Sequence, residues 1–219
     1  MARTSNRIAS ADRRQQIMGV AMALFALQGF KGTTTRQIAE RAGVSEAIIF
    51  RHFPRKEDLY WAIIDYKCQM AGKREKLLAA LRSSTNDRTI FSSIAEDILR
   101  RNSEDSTLSR LLLFTALENH RLSHRFFRTY VAENYEALAS HIRKRIQEKK
   151  FRGVDPLLAA RGFLGMVIYH FLIQDLFGGK RYQRFDPKQV SDVLTDIWLQ
   201  GMQVRRGKPL RVRGKTKAR

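Results

Sequence analysis

The chain has 219 residues, 43% of them hydrophobic, with 13 Phe, 6 Tyr and 2 Trp, enough apolar bulk to exclude disorder over most of its length. Its 41 Lys and Arg outnumber 21 Asp and Glu, giving a formal net charge of +20 that favours polyanions, nucleic acid first and acidic membrane second. The single cysteine, Cys68, excludes an intramolecular disulfide and a cysteine-based zinc site and suits a reducing compartment.

The first residues, Met1 to Gln16, carry Arg3, Arg7, Arg13 and Arg14 and no apolar block, so they do not read as a secretory signal. A first helix is expected over about Ala11 to Leu27, with Ile17, Val20, Ala21, Leu24 and Phe25 on one stripe and Gly29 as its stop. A second starts at Thr34, where Thr34 and Gln37 have capping-box spacing, and ends at Gly43. Ser45 caps a third that runs to about His52, and Pro54 stops it. A fourth spans about Lys56 to Leu81, before a polar break at Ser83 to Asn86. Two helices are expected between about Arg88 and Glu118, divided near Ser103 to Ser106. A long seventh covers about Ser123 to Lys150. Asp155-Pro156 and Asp186-Pro187 each pair a capping Asp with Pro at the first helical position. They open an eighth helix to about Phe177, stopped by Gly178-Gly179, and a ninth to about Val204. The fold class is thus all-α, with about nine helices.

The longest apolar-rich stretch, Phe163 to Ile173, is shorter than the ~20 residues a membrane span needs, and the expectation is a cytoplasmic protein with no membrane partner. Residues 205–219 hold eight basic and no acidic residues and read as a basic disordered tail.

The informative stretch is Thr33 to Lys56. Two short helices are joined at Ala42-Gly43-Val44-Ser45, where Gly43 supplies a positive φ. Val44 and Phe53 are placed to pack inward. This is helix-turn-helix logic, in which one helix braces and the next enters the major groove; an ordinary helical hairpin has the same composition. The residue string itself, Thr34, Ile38-Ala39, Ala42-Gly43-Val44-Ser45, Phe50, His52-Phe53, Lys56-Glu57 and Leu59, with Gly29-Phe30 upstream, closely resembles the DNA-binding domain of the TetR family of transcriptional regulators. The match covers about residues 12 to 62.

That resemblance implies a basic N-terminal arm at 1–10, a helix-turn-helix DNA-binding domain at 11–62 and a helical ligand-binding and dimerisation domain at 63–204. It implies phosphate contacts from Thr35, from Ser45 at a helix N-terminus whose free N–H groups attract anions, and from Lys56. His52 is either a further phosphate contact or a packing histidine. Phe50 departs from the family's usual tyrosine and lacks a hydroxyl. It is left with apolar contact to sugar or a thymine methyl, or with packing. Base reading falls to Glu46, Ala47, Ile48 and Arg51. Arg51 suits guanine O6 and N7, Ala47 and Ile48 offer apolar contact, and Glu46 either accepts from cytosine or stabilises the helix N-terminus.

In the C-terminal part, the resemblance implies a four-helix dimer interface from the last two helices. The candidates are Leu164, Phe171, Val190, Leu194, Ile197 and Trp198, the alternative being monomer core. It also implies a pocket for a small, largely hydrophobic effector. Bulky candidates are Tyr66, Met70, Phe114, Leu117, Phe127, Tyr130, Phe163, Met166, Tyr169 and His170, each with plain core as its alternative. His120 and His124 stand i,i+4, but no third ligand has a recognisable spacing, so no metal or cofactor is assigned. No phosphate loop, nucleophile elbow or paired-carboxylate motif points to an enzyme. The expectation is a ligand-responsive repressor that binds an inverted-repeat operator in double-stranded DNA as a homodimer and is released by its effector. The alternatives are a low-specificity architectural DNA-binding protein and an all-helical lipid-binding protein.

Overall fold

The computed structural model describes residues 2–83, 86–118 and 120–204; the basic tail lies outside them. Among the described residues there are eleven α-helical segments: α1 Ala2–Gly32, α2 Thr35–Ala42, α3 Glu46–His52, α4 Lys56–Ala71, α5 Lys73–Ser83, α6 Asp87–Glu104, α7 Thr107–Leu117, α8 Arg121–Phe126, α9 Ala132–Gln147, α10 Pro156–Phe171 and α11 Pro187–Met202. The expected nine become eleven for two local reasons. The fourth breaks at Gly72, which is left-handed. The seventh is divided by a π-helical turn over Phe127–Val131, a register change that apolar spacing does not reveal.

The helix starts follow from local chemistry. The side chain of Thr34 accepts from the Gln37 N–H, and the Gln37 side chain accepts from the Thr34 N–H, completing the capping box. Asp155 and Asp186 accept from the N–H groups of Leu158 and Gln189, with Pro at the next position in both. The expected arm is different: α1 begins at Ala2, so 2–10 are its first turns. Gly29 does not end α1 outright. It kinks the helix, with φ 76° and ψ 176°, and a last turn continues to Gly32.

Two apolar cores result. The first gathers Ile17, Leu24, Phe25, Phe30, Ile38, Ile49, Leu59, Tyr60 and Trp61 from α1–α4 with Leu108, Leu111 and Leu122 from α7 and α8. The second gathers Phe91 and Leu99 of α6, Leu138 and Ile142 of α9, Phe163, Val167 and Phe171 of α10 and Trp198 and Leu199 of α11. Residue 62 lies inside α4, and α7 packs in the first core, so the N-terminal core draws on elements from both sides of that position. The helical stretch Pro156–Leu176, α10 with a π turn after it, has 21 residues and is long and apolar enough to cross a membrane by length and composition. It thus exceeds the shorter stretch expected from the sequence. Its Ala160, Phe163, Val167 and Phe171 edge is buried in the second core.

Candidate nucleic-acid interface and ligand cavity

The α2–α3 unit is built on a helix-ending motif. Gly43 takes φ 63°, its N–H reaches the Glu40 carbonyl, and the Val44 N–H reaches the Ala39 carbonyl at 3.0 Å. This pair of bonds closes α2 and reverses the chain. Gln16 of α1 donates to the Ala42 carbonyl at 3.0 Å, tying the end of α2 to α1. Ile38, Ala39, Ile49 and Phe53 are buried, which fixes α3 on its brace. The face of α3 left to solvent carries Ala47, Phe50 and Arg51, with Ser45 at its N-cap.

The residues expected at DNA fall into three groups. Ala47, Phe50 and Arg51 are exposed, Phe50 at 44%. Ser45 accepts the Ile48 N–H through its hydroxyl oxygen, which leaves the O–H proton as a donor. Ile48 is half-buried against the first core, and the His52 ring packs beside Phe53 at 6.3 Å. Three residues, Thr35, Glu46 and Lys56, are engaged differently from expectation. The Thr35 hydroxyl donates to the Glu46 carboxylate at 2.5 Å, so one bond joins the start of α2 to the start of α3 and occupies both groups expected to contact DNA. The Lys56 ammonium donates to the carbonyls of Phe30 and Thr33, each at 2.9 Å, and lies 4.3 Å over the Phe30 ring. It closes the C-terminal end of α1, where cations are favoured, and its burial lowers its pKa. Arg14 of α1 lies 4.7 Å over the Phe53 ring.

A second site lies in the C-terminal part, a cavity of about 350 Å³. Its apolar wall includes Leu77, Ile94, Ile98, Leu112, Leu113, Phe126, Val131, Leu164, Ile168, Phe171 and Leu172, and its polar groups include Lys76, Asp97, Arg101, Asn102, Ser109, Tyr130 and Asn134. Of the ten residues expected to hold an effector, Tyr130 lines it. The other nine do not, for three reasons. Tyr66, Met70, Leu117, Phe127 and Tyr169 are exposed. Phe163 is fully buried, and Met166 packs against the same second core. Phe114 abuts Gly29, and His170 packs on the Phe185 ring. The inner face of α6 supplies much of the wall instead. Its Ile94-Asp97-Ile98-Arg101 spacing of three and four is a helix face, and that spacing is the sequence signal that was there to find.

Leu164 and Phe171, expected between subunits, line this cavity. Val190 and Trp198 are core residues, and the Trp198 indole donates to the Ala159 carbonyl at 3.2 Å. Leu194 is half-buried against the same core, and of the six interface candidates Ile197 is exposed, at 55%. Exposed large apolar side chains of α10 and α11 include Leu158, Tyr169, Val193 and Ile197.

α7 connects the two sites. Ser109, Leu112 and Leu113 face the cavity, while Leu108 and Leu111 pack in the first core. Tyr60 of α4 donates to the Leu111 carbonyl at 2.7 Å, and burial pushes its hydroxyl pKa up to about 12. Arg110 donates to the Ala26 carbonyl of α1. At the end of α7 the Glu118 carboxylate accepts the Lys31 N–H at 3.2 Å, and the Lys31 ammonium donates back to the Glu118 carbonyl. His120 caps α8 by accepting the Leu122 N–H and packs on Phe30 at 4.5 Å.

Comparison with known proteins places both halves. The family described as "Bacterial regulatory proteins, tetR family" matches residues 17–63, and "AefR-like transcriptional repressor, C-terminal domain" matches residues 89–197. The chain is 28% identical over 165 residues to the nucleoid occlusion factor SlmA of Vibrio atlanticus, covering 72% of this chain and 81% of that protein. It is 30% identical over 112 residues to the transcriptional activator FasR of Mycolicibacterium smegmatis, covering 50% of this chain and 49% of FasR. Its fold is similar to that of AibR, solved with isovaleryl coenzyme A and operator DNA, with TM-score 0.65 and 22% identity, over 84% of this chain and 97% of AibR.

Proposed function

The chain belongs to the TetR family of bacterial transcriptional regulators, and we propose that it is a cytoplasmic, ligand-responsive repressor that binds an inverted-repeat operator as a homodimer and is released by a small, largely hydrophobic effector. Regulators of this family bind DNA, dimerise and bind small molecules, and they are not enzymes. The observation that carries the reading is α7, one helix with one face on the cavity and the other in the core that holds α1 to α4.

In this reading Arg51, Phe50 and Ala47 read base edges, with Arg51 bidentate to a guanine. Ser45 and the N-terminus of α3 hold a phosphate, and Thr35, Glu46 and Lys56 set the posture of α2 and α3 from inside. Leu158, Tyr169, Val193 and Ile197 meet the same face of a second copy, and two-fold pairing puts two α3 helices about one DNA turn apart, ~34 Å, or a multiple. Effector in the cavity shifts α7. Its ties to Tyr60, Ala26 and Lys31 carry that shift into α4 and α1, and the spacing of the two α3 helices changes. The effector acts only through its differential affinity for the two arrangements. A match to a repressor-type C-terminal domain supports the sign of control.

Selection of genomic fragments by the purified protein near physiological salt tests the reading. A single enriched palindrome is expected. The charge of +20 and the similarity to a nucleoid occlusion factor support one rival, a low-specificity architectural binder, and broad recovery without a motif establishes that rival.

A further inference from the structure

The chemistry of the effector is written in which polar groups of the cavity are already occupied. Asn102 donates to the Ile98 carbonyl and accepts the Ser109 hydroxyl. Asn134 donates to the Tyr130 carbonyl, and the Tyr130 hydroxyl donates to Asp65 at 2.6 Å. None of these groups needs a ligand.

Arg101 does. Its Nε donates to the Asp97 carbonyl and its Nη2 pairs with the Asp97 carboxylate at 2.6 Å, but its Nη1 is buried and has no hydrogen-bond partner. A buried guanidinium N–H left unmade is costly, and a negatively charged acceptor is its strongest partner. Charge points the same way. Among the described residues lining the cavity Asp97 is the one carboxylate, and it is shared by two lining cations, Lys76 at 3.6 Å and Arg101; Arg100, outside the lining, pairs with it and with Glu104. This edge of the cavity therefore carries surplus positive charge. Phe126, Leu164, Phe171 and Leu172 give the cavity an apolar wall.

Resting on the effector reading above, we propose that the cavity takes a singly charged anionic amphiphile: a carboxylate against Arg101 and Lys76, with an apolar body against Phe126, Leu164 and Phe171. The volume, about 350 Å³, gives room for at least about ten non-hydrogen atoms at roughly 30 Å³ each, the liquid-water share, so octanoate and decanoate are within its size.

Calorimetric titration of the full chain with octanoate, octanol and octyltrimethylammonium tests this. Octanoate is expected to bind more tightly than octanol by about tenfold or more, the loss of one hydrogen bond to a charged group, and the cation is expected to be weakest. Arg101→Met is expected to erase the preference for octanoate over octanol. Lys76→Met, at a half-exposed position that leaves the core untouched, is expected to narrow it and serves if Arg101→Met does not fold. The proposal is overturned if octanol or the cation binds as tightly as octanoate, if hexanoate, octanoate and decanoate all fail to bind, or if the folded variants keep the full preference. Operator release is read separately: octanoate binding with unchanged operator affinity leaves the ligand assignment standing and overturns the effector reading.

Discussion

Replacing Gly29 by alanine strikes the joint between the DNA-binding half and α7. Two costs arise. The backbone there has φ 76° and ψ 176°, a region essentially confined to glycine, in which any other residue costs about 1–3 kcal/mol. A Cβ would also lie 2.7 Å from a Glu118 carboxylate oxygen and 3.0 Å from the Phe114 ring. Glu118 can swing aside only by releasing the Lys31 N–H, and crowding of this kind costs about 1–3 kcal/mol. Because that bond is exposed, the low end applies, and the sum is roughly 2–4 kcal/mol. For a chain of this length that lowers Tm by about 4–16 °C, read by calorimetry at fixed protein concentration because dimerisation also stabilises. Operator affinity is expected to fall as well, since Phe30 and Thr33, just past this joint, hold the Lys56 ammonium. A double-mutant cycle with Glu118→Ala separates the costs. The backbone part persists, while the steric part appears as a coupling of about 0.5 kcal/mol or more. A Gly29→Ala protein with unchanged Tm and unchanged operator affinity would refute the account of this joint.

Other substitutions test other assignments. Arg51→Ala is expected to relax preference at one operator position by ~1–3 kcal/mol, checked by binding to single-base operator variants; uniform loss on all sequences makes it a phosphate contact instead. Lys56→Met is expected to lower stability and leave the slope of log affinity against log salt unchanged, because its ammonium is held by two carbonyls; a slope reduced by about one returns it to the DNA. Ile197→Asp combined with Val193→Asp is expected to give folded monomers by light scattering with intact helical circular dichroism, whereas Trp198→Glu unfolds the second core; a double variant that stays dimeric refutes the interface. Burial pushes the Asp105 carboxyl up, but the Lys67 ammonium and the Thr107 hydroxyl and N–H outweigh it and hold it down at about 2 against an ordinary 3.8. A depressed carboxyl contributes stability above its unfolded pKa that is lost as pH falls through the folded one, here between about pH 4 and about pH 2. The partly exposed pair is worth under about 1 kcal/mol. Urea midpoints of wild type and Lys67→Met are therefore expected to differ slightly at neutral pH and converge toward pH 2, and a constant difference excludes the pair.

What was legible in the sequence was local. Thr34, Gln37, Ser45, Asp155 and Asp186 satisfy orphan N–H groups within three residues of themselves, so chain order alone reveals the starts of α2, α3, α10 and α11. The α3 face was legible for the same reason. The uses of Lys56 and Glu46 were not, since their partners Phe30, Thr33 and Thr35 become neighbours only when α1, α2 and α4 pack. The cavity was least legible. α10 is apolar on nearly every face, so nothing in its own sequence tells Leu164, which lines the cavity, from Phe163, which is core, or from Tyr169, which faces out. Bulk is a poor guide to such a wall; the modest residues of α6, Ile94, Ile98 and Arg101, form it.

The two tryptophans of the chain fall one to each core. Trp61 lies in the first, beneath the Arg125 guanidinium at 3.7 Å. Trp198 lies in the second, ringed by Phe91, Phe151 and Phe163. Each half of the molecule therefore carries its own intrinsic fluorophore, one beneath a guanidinium and the other enclosed by aromatic rings. A single-tryptophan protein made by Trp→Phe at either position reports on one half alone. Superimposed melts from the two would mean that α7 fuses the halves into one cooperative unit; separated melts would mean that the reader and the sensor open independently.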